Sequence, residues 1–207
     1  MTSVLKIKNK HRPFHYYDGR AYFISGTCYK GLGMFLAEYR KDIFKKVLRE
    51  SVKRFDIQLY SWVILNNHYH ILFTLPIVDC RIDENDPSVD GEFCYEGDKD
   101  SKYFLVEFIR KMHKDTARIL NKLDNTPGRK VWYQYWDYCV RNEIDFWKHF
   151  NYILKNPLKH KLAENIEESF SYEFSSNSTW LEKFSFDGLV EGLIKYKVKD
   201  VLYDEED

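Results

Sequence analysis

No stretch of this 207-residue chain stays apolar for the roughly eighteen residues that a membrane-spanning helix needs. Its basic start, MTSVLKIKNKHR, has no apolar signal region. Cysteine is sparse, and Cys28, Cys80, Cys94 and Cys139 include no CxxC pair. A reduced cytoplasm is the setting these absences suggest. There is no internal repeat and no low-complexity tract. Net charge is lacking too, since 32 Lys and Arg balance 32 Asp and Glu. Taken whole, that balance argues against a nucleic-acid binder.

The distribution of charge says otherwise. Residues 1–56 carry eight more basic than acidic residues, and 101–161 carry seven more. Residues 77–100 have an acidic excess of seven, and 162–207 an acidic excess of eight. Two basic blocks that fold together present a face able to track a phosphate backbone. Ordinary solvated helix faces read the same way by charge alone. Apolar residues at 44% and aromatics at 17% supply enough material for a core.

Hydrophobic spacing sets the order of elements. RAYFISGTCY (20–29) reads as a strand, and 35–54 has helical apolar spacing. IQLYSWVIL (57–65) and HYHILFTLP (68–76) read as strands, with Asn66-Asn67 as a tight turn because Asn tolerates positive φ. Residues 77–100 read as an acidic surface insertion. A second helix is expected over 102–123, ended by Pro127-Gly128, then a strand over 131–140. Asn142 caps a third helix from Glu143 to about Lys155, which Pro157 does not comfortably continue. The remainder, 163–207, reads as an acidic extension with a helix near 187–201, outside a main domain of residues 1–162. The fold expected is α+β: a βαββαβ antiparallel sheet of ferredoxin-like type, two helices on one face, and an added helix.

Two positions invite chemistry. In the strand NNHYHILF, His68 and His70 share a face and Tyr69 points away. Two adjacent imidazoles can ligate a divalent metal, or stand as hydrogen-bonded core histidines. In the third helix, Ile144, Trp147, Phe150, Ile153 and Leu154 form an apolar stripe. Asp145, Lys148, His149, Tyr152, Lys155 and Asn156 share another face, which puts Tyr152 among polar groups. Such a tyrosine is placed either to attack a phosphodiester or simply to face solvent.

His68-Tyr69-His70 resembles the HUH motif of single-strand nucleases. YQYWDYCVRNEIDFWKHFNYILKNPLKH (133–160) and SWVILNNHYHILFTLP resemble the REP-associated tyrosine transposases, which are single-tyrosine HUH transposases of bacterial insertion sequences. The resemblance runs over roughly 14–176. It implies that His68, His70 and Asn156 bind Mg²⁺ or Mn²⁺ and that Tyr152 is the nucleophile, leaving a 5′-phosphotyrosine and a free 3′-hydroxyl. It implies a substrate of single-stranded DNA folded as an imperfect hairpin, with monomer and homodimer both open. Expected backbone contacts are Arg12, Arg20, Arg110, Lys111, Lys114, Lys148 and Lys155, with Lys6, Lys8 and Lys10. Tyr16, Tyr17 and Trp136 are candidates to stack on unpaired bases. The rival readings are a non-catalytic hairpin-binding regulator of the same fold and a metal-dependent phosphodiesterase that uses water.

Overall fold

The computed structural model describes residues 19–76 and 97–198; in the long second helix, side chains are described from residue 104 onward. Strand β1 (Ala21–Cys28) leads through a 3₁₀ turn (Tyr29–Gly31) to α1 (Glu38–Arg54). A hairpin of β2 (Gln58–Ile64) and β3 (His68–Thr74) follows, then α2 (Gly97–Leu123), β4 (Trp132–Cys139) and α3 (Glu143–Lys159). Two further helices, α4 (Ile166–Phe170) and α5 (Asn177–Lys195), close the described chain. The strands form one sheet in the order β2-β3-β1-β4, and every neighbouring pair is antiparallel. The α+β class and this order follow from the β-α-β-β-α-β sequence, in which each βαβ half leaves a gap that a strand of the other half fills.

The central strands β1 and β3 are covered on both faces, which is why they are almost continuously apolar. On one face Tyr22, Ile24, Tyr69, Ile71 and Phe73 pack against Phe44 and Leu48 of α1 and Phe108 and Met112 of α2. On the other, Phe23, Leu72 and Val63 pack against Phe150, Tyr152 and Ile153 of α3, Phe170 of α4 and Leu189 of α5. Each such side chain contributes roughly 1.5–3 kcal/mol of transfer free energy.

Several expectations about the elements need correction. The hairpin is as tight as expected, with Leu65 N–H donating to His68 O at 2.9 Å, but neither Asn66 nor Asn67 takes a positive φ. Their carbonyls are used instead: Asn66 O accepts from Phe35 N–H (2.9 Å) and Asn67 O from Cys28 N–H (2.7 Å). That bond turns Phe35 into the core, so α1 starts at Glu38 rather than 35. Helix α2 begins at Gly97, inside the stretch read as an insertion; residues 77–96 lie outside the described residues. Helix α3 passes through Pro157 to Lys159. Proline removes only one donor there, the one that would have met the Ile153 carbonyl, and the next carbonyl, Leu154 O, is tied to the following segment by Ser169 Oγ (2.7 Å) and Asn177 Nδ2 (3.1 Å). The segment after α3 packs on the same core: Phe170 and Leu189 join the second cluster, and Ser175 bridges Val63 at the edge of β2. Helix α5 starts ten residues before the expected 187 and breaks at Ser185 (φ 61); residues 199–207 lie outside the described residues.

Gly26 fixes the position of the tyrosine between the two histidines. It pairs with Tyr69 across β1 and β3, and a Cβ there would sit 2.3 Å from the fully buried Tyr69 ring. Gly26→Ala is expected to lower stability by about 1–3 kcal/mol through overpacking, read as a lower urea midpoint at unchanged m-value.

Candidate active site

The strand pleat turns His68 and His70 toward α3 and Tyr69 toward α1 and α2. Antiparallel register places His70 opposite Ser25 and His68 opposite Thr27, so the pair sits at the end of β1 that enters the 3₁₀ turn. Both imidazoles stand in an aromatic cluster. The His70 ring stacks on Phe23 (5.3 Å, 17°) and meets Tyr152 edge-on at 5.1 Å. The His68 ring lies 5.0 Å from His70 and 4.6 Å from His160.

Hydrogen bonding prepares the ring nitrogens unequally. His68 Nδ1 lies 2.7 Å from Asn67 Oδ1, whose own Nδ2 donates to Gly31 O at 3.3 Å. An amide oxygen only accepts, so Nδ1 carries the proton and Nε2 presents its lone pair. His70 is 2% exposed, and among the described residues neither of its ring nitrogens has a hydrogen-bond partner. Burial, with the nearby His160 and Lys159, pushes His68 down to about 3. Burial holds His70 well below the ordinary histidine range, and the charges of His68, His160, Lys159 and His149 act the same way. Both imidazoles are therefore neutral near pH 7, the form that ligates metals.

Helix α3 supplies the rest. Asn142 caps it, accepting from Asp145 N–H at 2.9 Å. The face expected to be polar is buried against the sheet: Asp145, His149, Tyr152 and Asn156 are all under 9% exposed, while Ile144 of the expected stripe is 57% exposed. The reason is that α3 is covered twice, by the sheet on this face and by α4 and α5 on the Phe150–Leu154 side. Tyr152 is thus buried rather than solvent-facing, with polar neighbours such as His70 beside its ring. Asp145 accepts from Tyr138 Oη (2.8 Å) and from Arg141 Nε (3.1 Å), which fixes the start of the helix. Asn156 is fully buried and donates Nδ2 to Tyr152 O at 3.2 Å, and its Oδ1 has no partner among the described residues. Buried polar atoms without partners are costly and rare. Among the described residues such atoms occur also on Thr126, Trp132 and Asn177; in this cluster they belong to His70, whose neutral ring offers one nitrogen lone pair, and to the amide oxygen of Asn156, donors of the kinds that fit a first-row divalent cation. Among the described residues, no three His, Cys, Asp or Glu side chains are gathered to hold a metal, so the Asn156 oxygen would be needed.

Two further residues join the cluster that the sequence reading did not single out. Lys159 Nζ stands 5.4 Å from the Tyr152 ring centroid, and His160 caps the helix beside His68. Of the expected DNA contacts, Lys148 and Lys155 lie half-buried on α3. Arg110 and Lys111 are on α2, across the sheet from Tyr152, and engaged with Glu107 and Asp115; Lys114 is exposed on the same helix. Arg20 precedes β1, at the far end of the strand from Thr27. Arg12, Lys6, Lys8, Lys10, Tyr16 and Tyr17 lie outside the described residues. Trp136 is on the site's face, opposite Ser25 on β4.

No family model matches the chain. A Haemophilus influenzae protein provisionally named REP-associated tyrosine transposase is 21% identical over 151 residues, covering 72% of this chain and 77% of that protein. The chain resembles the REP-associated tyrosine transposases. An Escherichia coli REP-associated tyrosine transposase is 25% identical over 112 residues, 54% of this chain, and the match spans half of that relative's length. A solved structure described as a REP-associated tyrosine transposase bound to a REP hairpin shares the fold, with a TM-score of 0.58 over 88% of each chain at 17% identity. No helix among the described residues is long and apolar enough to cross a membrane.

Proposed function

We propose that this chain is a transposase-like single-strand DNA endonuclease and strand transferase that works through a covalent tyrosine intermediate. One observation carries the reading. Tyr152 lies against His70, and the partnerless buried atoms around it belong to His70 and Asn156. His68, His70 and Asn156 would hold Mg²⁺ or Mn²⁺. When bound, that cation polarises the scissile phosphate and offsets the charge developing on it. The chain's own residues do the rest. The Tyr152 oxygen attacks phosphorus and loses its proton, the bond from phosphorus to the 3′ oxygen breaks, and that oxygen leaves as a protonated 3′-hydroxyl. Lys159 sets a positive charge beside the ring as its oxygen becomes anionic. The phosphotyrosine conserves the bond energy, so a second 3′ end can be joined without a nucleotide cofactor.

The relatives' names and the hairpin-bound structural neighbour support hairpin DNA as the substrate and a cytoplasmic setting for the work. The test is a denaturing gel. Purified protein is incubated with labelled single-stranded hairpin DNA drawn from the flanks of its own gene, with Mn²⁺ or with EDTA. The expected result is a protein–DNA adduct that needs the metal and is absent from Tyr152→Phe, which still binds the DNA. Cleavage that persists in Tyr152→Phe without an adduct would overturn the nucleophile in favour of water.

A further inference from the structure

Several cations among the described residues are paired with carboxylates: Arg40 and Arg129 with Asp124, Arg110 with Glu107, Lys111 with Asp115, and Arg141 with Asp145. Lys30 and Lys130 are not; neither is in an ion pair among the described residues, and both stand over aromatic rings instead. Lys130 Nζ is 4.6 Å from the centroid of Tyr29 and 5.3 Å from that of Tyr133, and Lys30 Nζ is 5.5 Å from Tyr29. The two rings are 6.4 Å apart, and Tyr133 is 58% exposed. Pairing of β1 with β4 brings them together, since Cys28 faces Trp132 and Tyr29 N–H donates to Val131 O at 2.8 Å.

This cluster adjoins the candidate site. The chain turns at Lys30 and Gly31, both left-handed (φ 56 and 64), and Gly31 then lines a cavity of about 300 Å³. Asn66, His68, His160 and Leu162 line the same cavity. Resting on the proposed function above, we infer that Tyr29, Tyr133 and Lys130 form a platform over which the unpaired strand of the DNA substrate runs into the His68 cavity. Exposed π-faces stack on any unpaired base, whereas a duplex keeps its bases covered, and an unpaired ammonium among the rings meets the backbone. The occupant is therefore single-stranded rather than paired DNA.

The test measures fluorescence anisotropy with two probes, an oligo(dT) of about 16 nucleotides and a blunt-ended hairpin without unpaired ends. Expected results are about tenfold weaker oligo(dT) binding for Tyr133→Ala and about a hundredfold for Tyr29→Ala/Tyr133→Ala, with hairpin binding unchanged. Lys130→Gln should lower the slope of log affinity against log salt by about one. Thermal melts confirm that the variants fold. Wild-type affinity for oligo(dT) in the double variant, or an equal loss on the blunt hairpin, would overturn the platform. A Tyr152-dependent adduct formed with undiminished yield by the double variant would do so while leaving the proposed chemistry standing. Failure of the wild type to bind oligo(dT) at all would also reject the platform, and the adduct assay then judges the chemistry separately.

Discussion

His70→Leu is expected to abolish adduct formation and, in the same protein, to raise the melting temperature. The imidazole is 2% exposed and both ring nitrogens lack partners among the described residues. Leaving a buried polar atom unsatisfied costs about 1–3 kcal/mol, and an apolar side chain of similar size removes that cost. Leucine forfeits the stacking on Phe23 and the edge contact with Tyr152, worth about 0.5–1.5 kcal/mol. The balance is a gain of about 1 kcal/mol, or 2–4 °C for a domain of this size. Activity moves the other way by more than roughly 100-fold, because loss of a mere outer-shell partner already costs a metal site 10–100-fold. Two melting curves decide the matter. The wild type should melt higher with Mn²⁺ than with EDTA, and His70→Leu should melt higher than metal-free wild type and ignore Mn²⁺. A variant less stable than the metal-free wild type would mean that His70 is an ordinary satisfied core residue. His113 is the contrasting case: its Nε2 meets Tyr69 Oη at 2.8 Å and its ring stacks on Trp132, so removing it should destabilise.

The comparison of these histidines shows what was legible in the sequence. Period-two spacing put His68 and His70 on one face, and the helix count put Tyr152 and Asn156 on one face of α3. Both readings rest on local geometry and agree with the structure. Strand limits came within two residues for the same reason, since the central strands are rich in apolar and aromatic residues bounded by turn formers. What was not legible depended on packing partners distant in sequence. Whether the Tyr152 face is wet or dry depends on which side of α3 meets the sheet, and the second cover comes from α4 and α5. Stopping the helix before Pro157 hid Lys159, which is seven residues on from Tyr152 and therefore on the same face. The platform of Tyr29, Lys130 and Tyr133 is invisible in the sequence, because β-pairing joins segments a hundred residues apart. Conversely, Arg110, Lys111 and Lys114 seemed attractive by charge alone and lie across the sheet from the site.

Acid should unfold this protein early. His68 and His113 are pushed down to about 3 by burial, and burial also lowers His70 and His149. A group whose folded value lies below its unfolded value of 6.5 adds stability that is complete above that value and is lost as pH falls. Protons bind the unfolded chain first, so the loss begins below pH 6.5 and continues toward 3. At pH 5.5 His68 and His113 each cost about 1.4 kcal/mol, and His70 and His149 act in the same direction, against the ~5–15 kcal/mol that holds a domain folded. Two carboxylates with lowered values act in a lower window. Asp124 is held low by Arg40 and then Arg129, and Asp145, which burial would raise, is brought low by Arg141 and Tyr138. Their contributions fade only as pH drops below the ordinary carboxylate value of 3.8. Melting temperatures at steps from pH 8 to 5, without metal, should be level to about 6.5 and then fall steeply. A flat profile to pH 5 would show that these imidazoles accept protons in place, and with that the neutral ligand pair required for Tyr152 chemistry would lose its footing. His70→Leu should make the fall shallower by one histidine's share, which ties the acid transition to the same side chain that the adduct assay probes.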